Sequence, residues 1–176
     1  VRQAAERGMR ITNEIEIAAR RCRAPIIAIT GTNGKTTTTE LAGFILRGSG
    51  RNTFVAGNVG LPFSEIALMA DEQSVVVLEL SSFQLEHIQT FRPRVAMILN
   101  VTPDHLDRYP NFEAYVRAKF RITANQTPAD TLIYNADDHN LASLPANSLA
   151  RAIGFSLTQA LPDGAFVSNG EMILRR

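Results

Sequence analysis

Residues 28–40 read AITGTNGKTTTTE, and Gly31-Thr32-Asn33-Gly34-Lys35-Thr36 within them has the residue types that hold a phosphate chain. Glycines let a backbone turn tightly and come close to a ligand, and the N–H groups of such a turn point at anionic oxygens. A lysine then reaches the outer phosphates, and a threonine hydroxyl reaches Mg²⁺. The widespread form of this motif has a further glycine six residues before the lysine, where this chain has Ile29. The nucleotide reading assigns Gly31, Thr32, Asn33, Gly34, Lys35, Thr36, Thr37 and Thr38 to a triphosphate. The N–H groups from Thr32 to Thr37 face it, Lys35 bridges its β- and γ-phosphates, and Thr36 reaches the metal. The competing reading is an ordinary strand-to-helix turn. Threonines 36–39 open the following helix although β-branched residues are mediocre helix formers, and Thr38 and Thr39 are expected to cap its first-turn N–H groups.

Three other residues could work beside this loop. Glu79 ends the apolar run SVVVLEL, which places it at the carboxyl edge of a buried strand, where ligands of open α/β sheets gather. A carboxylate there can hold the nucleotide's Mg²⁺; as a structural residue it needs another partner, because a buried unpaired charge is costly. His105 lies in TPDHLDRYP after the next apolar run, where Thr102-Pro103 resembles a helix N-cap and first position. Magnesium prefers oxygen, so residue chemistry leaves His105 open between a metal ligand and a hydrogen-bonded loop residue. At a helical period Phe112, Tyr115, Val116, Lys119 and Thr123 share one face, while Arg117 and Arg121 point away. Lys119 therefore lies on the inward stripe, where it can either snorkel to water or stay buried with a lowered pKa and an available neutral amine.

The elements that must position these residues alternate in type. Asn13 with Glu16 three residues on predicts a helix start, with Ile15, Ala19 and Cys22 on one face until Pro25. A strand is expected at Ile26–Thr30, and a helix through Leu41, Phe44 and Ile45 ending near the glycines of RGSG. Further strands are expected at Thr53–Ala56, Ser74–Leu80, Arg94–Val101 and Thr131–Asn135, with helical or loop segments between them that include Leu61–Ala70 and Phe112–Ala124. Apolar strands alternating with helices predict an α/β fold: a mostly parallel sheet with helices on both faces. Asn169-Gly170 between Ala165–Ser168 and Glu171–Leu174 adds a C-terminal β-hairpin.

The 176 residues suit one domain with a real core, and 18 basic against 17 acidic residues leave no electrostatic footprint for nucleic acid. The single cysteine, Cys22, excludes an internal disulfide framework and reads as packing; it fits a reducing compartment. No apolar run is long enough to span a bilayer, and the amino-terminal VRQAAERG has neither an initiator Met nor an apolar signal segment. The expectation is a cytoplasmic chain cut from something longer.

Together GTNGKTTT, AGNVGLP, LELSSFQLE, ILNVTPDHLDRYP, YVRAKFRI and YNADD resemble the Mur ligase family of peptidoglycan synthesis, from about Asn13 to Asp138. SSFQLE and DHLDRYP point to its D-glutamate-adding branch rather than to sister ligases or to folylpolyglutamate synthase, which share the loop. The resemblance implies an ATP-dependent amide ligase that activates UDP-N-acetylmuramoyl-L-alanine as an acyl phosphate for attack by D-glutamate. It implies that Lys35 and its loop bind ATP, that Thr36 and Glu79 serve a first Mg²⁺, and that His105 serves a second. It also implies that Lys119 is carried as a carbamate, an anionic oxygen ligand. Asn58 matches a substrate-contacting asparagine, with Ser81 and Gln84 as further substrate contacts; on residue chemistry Asn58 also reads as a turn residue beside Gly57 and Gly60. Residues 1–24 are expected to lead into a central ATP-binding domain, 25–176, incomplete at its C-terminal end and lacking the family's N- and C-terminal domains. Such a fragment would not complete ligation alone. Another amide ligase of folylpolyglutamate-synthase type, or a P-loop ATPase module without ligase activity, are the alternatives.

Overall fold

Short apolar runs pair into one eight-stranded sheet in the order β2-β3-β1-β4-β5-β6-β7-β8. The strands are β1 (Ile26–Thr30), β2 (Thr53–Gly57), β3 (Val75–Glu79), β4 (Val95–Ile98), β5 (Thr131–Asn135), β6 (Arg151–Ser156), β7 (Gly164–Ser168) and β8 (Glu171–Arg175). The helices are α1 (Glu14–Ala19), α2 (Lys35–Gly48), α3 (Phe63–Ile66), α4 (Ser82–Leu85), α5 (Phe112–Phe120) and α6 (Leu144–Asn147). This computed structural model describes Gln3 and residues 6–175. Four residues of the expected leader, at positions 1, 2, 4 and 5, lie outside the described residues. Among the described residues no helix is long and apolar enough to cross a membrane.

Every pairing is parallel except β7 with β8, whose turn places Asn169 and Gly170 at φ 52° and 79°, as an Asn-Gly hairpin turn requires. The expected strands are all present, but β6 was not anticipated. Its run RAIGFS carries Arg151 at one end and Gly154 in the middle, which hides its period. Of the segments expected to be helical or loop, Leu61–Ala70 holds only the single turn of α3, and Phe112–Ala124 divides into α5 and a 3₁₀ turn at Arg121–Thr123.

Helices do lie on both faces, but unequally. The main core is one cluster in which Ile15, Phe63, Leu85, Tyr115 and Leu144 from the helices pack on Ala28, Ala56, Leu78, Ala96, Ile98 and Leu132 of the strands. Each buried Leu, Ile or Phe side chain among them contributes about 1.5–3 kcal/mol. Strand side chains alternate, so Val55, Val77 and Ile29 face the other way. On that face α2 covers the β2-β3-β1 end, and Gly43 comes so close to Val55 that an added Cβ would lie 2.3 Å from its Cγ2. The helix thus buries its small side, while Leu41, Phe44 and Ile45, read as its apolar stripe, are exposed. Met97, Ile133 and Ile153, neighbours across β4, β5 and β6, remain only half-buried on that face.

One buried carboxylate ties α1 to the segment that leads into β4. Asn13 caps α1 by accepting from the Glu16 N–H at 2.9 Å, as the spacing predicts. The Glu16 side chain turns into the core and accepts the N–H groups of Gln89 and Thr90 at 2.9 Å and of Phe91 at 3.0 Å, with Arg20 beside it at 3.1 Å. Burial by itself raises its pKa, but the three backbone donors and the Thr90 hydroxyl outweigh burial and hold it at about 2. Because the folded pKa is below the ordinary value of 4.5, the stabilisation is full above pH 4.5 and fades as pH falls toward 2. Glu16→Gln is expected to lose about 2 kcal/mol at pH 7 in denaturant melts, the gap to wild type narrowing below pH 4.5.

Candidate functional site

The phosphate-type loop begins later than the widespread motif because Ile29 is still sheet. It is fully buried and pairs with Glu79 in β3 and Met97 in β4, so the chain turns only at Gly31. Gly31 leaves little room for a side chain: a Cβ there would lie 3.1 Å from Leu99 Cβ, tighter than an ordinary contact. Gly34, at φ 81°, is the N-cap of α2, in a region that favours glycine.

The loop is stapled from two sides. From the end of β4, Asn100 Oδ1 accepts the N–H of Thr32 at 3.1 Å and of Asn33 at 2.9 Å, and its Nδ2 donates to Asn33 O at 3.0 Å. The Thr32 hydroxyl accepts from the Thr102 N–H at 3.0 Å and lies 3.1 Å from the Tyr115 hydroxyl of α5. Also from α5, Lys119 Nζ donates to Gly31 O at 2.7 Å. The Thr32 and Asn33 N–H groups are therefore committed within the protein, which narrows the expected Thr32-to-Thr37 cradle to the amino end of α2. No side chain caps that end, and the first-turn donors remain for an anion. This also corrects the capping expected of Thr38 and Thr39, since the buried Thr39 hydroxyl has no hydrogen-bond partner. Thr36 and Thr37 are exposed, and Lys35 Nζ rests on Thr32 O at 2.9 Å.

Glu79 ends β3 with 2% exposure. Gly57, at φ 122°, lets β2 pass so close that a Cβ would lie 2.2 Å from Glu79 O, and the next residue, Asn58, donates through Nδ2 to Glu79 Oε1 at 3.1 Å. Among the described residues no basic side chain pairs with Glu79. A buried carboxylate with a neutral amide for company is suited to a hard cation, which would balance its charge.

Lys119 is 2% exposed. Its Nζ lies 4.6 Å from the centre of the Tyr115 ring. Burial above all, then the nearby charge of Lys35, lowers its pKa to about 7, with Asp104 opposing. Snorkelling is excluded, and the neutral amine is accessible near neutral pH. Of its helix neighbours, Arg117 and Arg121 are both exposed, as the helical period predicts, and Arg121 also donates to Leu85 O and Ile88 O.

The helix expected after Thr102 does not form. The main chain of Thr102 is drawn to Thr32, and Asp104 Oδ1 takes the His105 N–H at 2.8 Å as His105 enters a left-handed conformation at φ 52°. The imidazole packs 4.9 Å from the Phe83 ring and edge-on to Tyr115 at 6.1 Å, with Nε2 3.5 Å from Asp104 Oδ2. The preceding segment is held by Asp138 of the YNADD run, which accepts the Val101 N–H at 2.7 Å. His105 and Lys119 thus share Tyr115, but among the described residues no three His, Cys, Asp or Glu side chains form a metal cluster. Ser81 and Gln84 close a capping box on each other at the start of α4. Tyr115, which joins loop, histidine and lysine, was visible in sequence only as an inward helix residue; Asn100 gave no signal.

A parallel sheet carrying a Gly-Lys-Thr loop with an uncapped helix start, and a buried carboxylate on the adjacent strand, defines a phosphate-loop α/β protein. Within that class the chain belongs to the Mur ligase family, whose middle domain matches residues 29–169. The UDP-N-acetylmuramoylalanine--D-glutamate ligases of Trichlorobacter lovleyi and Geotalea daltonii are 45% and 49% identical over 99% and 94% of the chain. The chain spans only 39% and 36% of those relatives' lengths. Among solved structures, the MurF ligase of Thermotoga maritima in complex with ADP is similar over 90% of the chain and 39% of its own, with TM-score 0.66 and 21% identity. FolC of E. coli in complex with DHPP and ADP is similar over 92% of the chain and 52% of its own, with TM-score 0.61 and 17% identity. These two likenesses establish the fold alone.

Because the folded pKa of Lys119 lies below its ordinary 10.5, its burial destabilises the protein fully below pH 7, and the effect disappears as pH rises toward 10.5. Lys119→Met is therefore expected to raise Tm at pH 6, with a gain that shrinks between pH 7 and 10, measured by calorimetry.

Proposed function

We propose that the chain is the ATP- and metal-binding part of a cytoplasmic ligase that joins D-glutamate to UDP-N-acetylmuramoyl-L-alanine in peptidoglycan precursor synthesis. The observation that carries this reading is Lys119, buried against the phosphate-type loop with a pKa near 7, in a chain 45% and 49% identical to D-glutamate ligases. An ATPase module that only hydrolyses nucleotide has no use for such a lysine.

The first-turn N–H groups of α2 and Lys35 take the triphosphate, with Gly31 to Gly34 shaping the turn and Thr37 and Thr38 in the first turn of the helix. Thr36 and Glu79 would hold one Mg²⁺, and His105 and Lys119 would serve a second. Bound magnesium would neutralise charge developing on the transferred phosphoryl group. The Lys119 amine, neutral near pH 7, forms an N–C bond to CO₂ and releases a proton, which would leave an anionic oxygen donor in place of the amine. Asn58, beside Glu79, orients the acceptor, and Ser81 and Gln84 line the same edge after β3. The acceptor carboxylate takes the γ-phosphoryl group from ATP and leaves ADP. The D-glutamate nitrogen then attacks the acyl carbon, a C–N bond replaces the C–O bond to phosphate, and the amine's surplus proton is lost.

Residues 25–176 serve as the central domain, led into by 1–24, while N- and C-terminal domains bring the UDP end and the amino acid. The fragment alone therefore does not ligate. The full-length enzyme, given ATP and UDP-N-acetylmuramoyl-L-alanine, is expected to release phosphate only with D-glutamate among a panel of amino acids; release independent of D-glutamate overturns the assignment. ¹³C-bicarbonate should give a carbamate NMR signal with the wild type and none with Lys119→Arg.

A further inference from the structure

The phosphate-type loop lies at the carboxyl edge of the sheet. At the opposite edge, where β1 and β4 begin, a cavity of about 480 Å³ opens between the α1–β1 connection and the segments that enter β4 and β5. Four arginines line it: Arg20, Arg23, Arg92 and Arg94. Its volume is within the range of small-ligand pockets.

These guanidinium groups are unequally occupied. Arg20 is held by Glu16 at 3.1 Å. Arg92 grips Asp130, Nε to Oδ2 at 2.7 Å and a terminal nitrogen to Oδ1 at 3.2 Å. Asp130 is 2% exposed and also accepts from the Thr127 N–H at 2.7 Å, so it serves as the floor of the cavity. Arg94 reaches Asp130 only at 3.5 Å, and Arg23 forms no ion pair among the described residues, although the charge of Asp71 lies near it. Two planar guanidinium groups thus face a concave space with most of their donors unspent. The remaining wall is different in kind, with Ala24, Ile26 and the half-buried Cys22 lining it.

We propose that this cavity is a second anion site, which takes a small organic phosphate: the phosphoryl oxygens on Arg23, Arg94 and the outer edge of Arg92, the organic part against Ala24 and Ile26. Guanidinium forks match phosphate geometry in pairs, and several converging on one pocket favour a phosphoryl dianion over a single carboxylate. The apolar wall favours an ester over inorganic phosphate. The site does not depend on the ligase reading, because none of its residues belongs to the loop.

The test is a titration of the ¹⁵N-labelled chain with phenyl phosphate and with inorganic phosphate at fixed ionic strength, in a Lys35→Ala background that weakens the loop site. Saturable shifts are expected at the amides of Cys22, Ala24 and Arg94, with phenyl phosphate the tighter ligand. The double variant Arg23→Gln/Arg94→Gln should lower that affinity about tenfold or more while its melting temperature stays with the parent's, as both side chains are exposed and Arg92 keeps its grip on Asp130. Shifts confined to residues 31–38, shifts that never saturate, equal affinity for the two probes, or no effect of the double variant would each overturn the proposal.

Discussion

The site depends on how the turn between β1 and α2 is held. A glycine-bearing turn has little conformational preference of its own, so its shape comes from outside. Asn100 supplies most of it, with one carboxamide spanning the N–H groups of two successive residues and a carbonyl. The Thr32 hydroxyl and Lys119 complete the frame from the segment after β4 and from α5. Since β1 and β4 are neighbours in the sheet, the turn is fixed to the strand beside it. Preorganisation of this kind fixes the turn ahead of the uncapped amino end of α2, whose first-turn N–H groups suit an anion.

Around that frame the protein keeps two ionisable groups out of water for which it provides incomplete partners. Glu79 has a carboxamide, and Lys119 has a carbonyl and the face of a tyrosine. Each arrangement costs folding free energy in the unliganded chain. A carboxylate and an amine left in this state suit a site that cations and anionic oxygens would join. Glu16 is the contrasting case, a buried carboxylate fully supplied with backbone donors and needing nothing further.

Much of this was legible in residue order. Strands with continuous apolar runs, the Gly-Lys-Thr turn, the Asn-Gly hairpin and the inward position of Lys119 all follow from local chemistry. What was not legible depended on contacts between distant segments. Thr102-Pro103 has the local preference for a helix start, yet Thr32, seventy residues earlier, claims its backbone. Leu41, Phe44 and Ile45 look like a buried stripe, yet the sheet accepts only the small side of α2, at Gly43. Strand β6 pairs with β5 from Arg151 to Phe155 despite an exposed arginine and a central glycine, because register with a neighbour can outweigh composition. Asn100 has nothing in its surroundings that marks it; its role appears only when two strand ends meet.

His105 adds a different consideration. Its left-handed backbone is one that side chains with a Cβ rarely adopt, and a glycine or asparagine there would sit more easily. Random stabilising substitutions would thus find position 105 early, and each would remove the imidazole lodged between Phe83 and Tyr115. With the role proposed for His105, selection for a more robust fold and selection for the site would pull in opposite directions at this position.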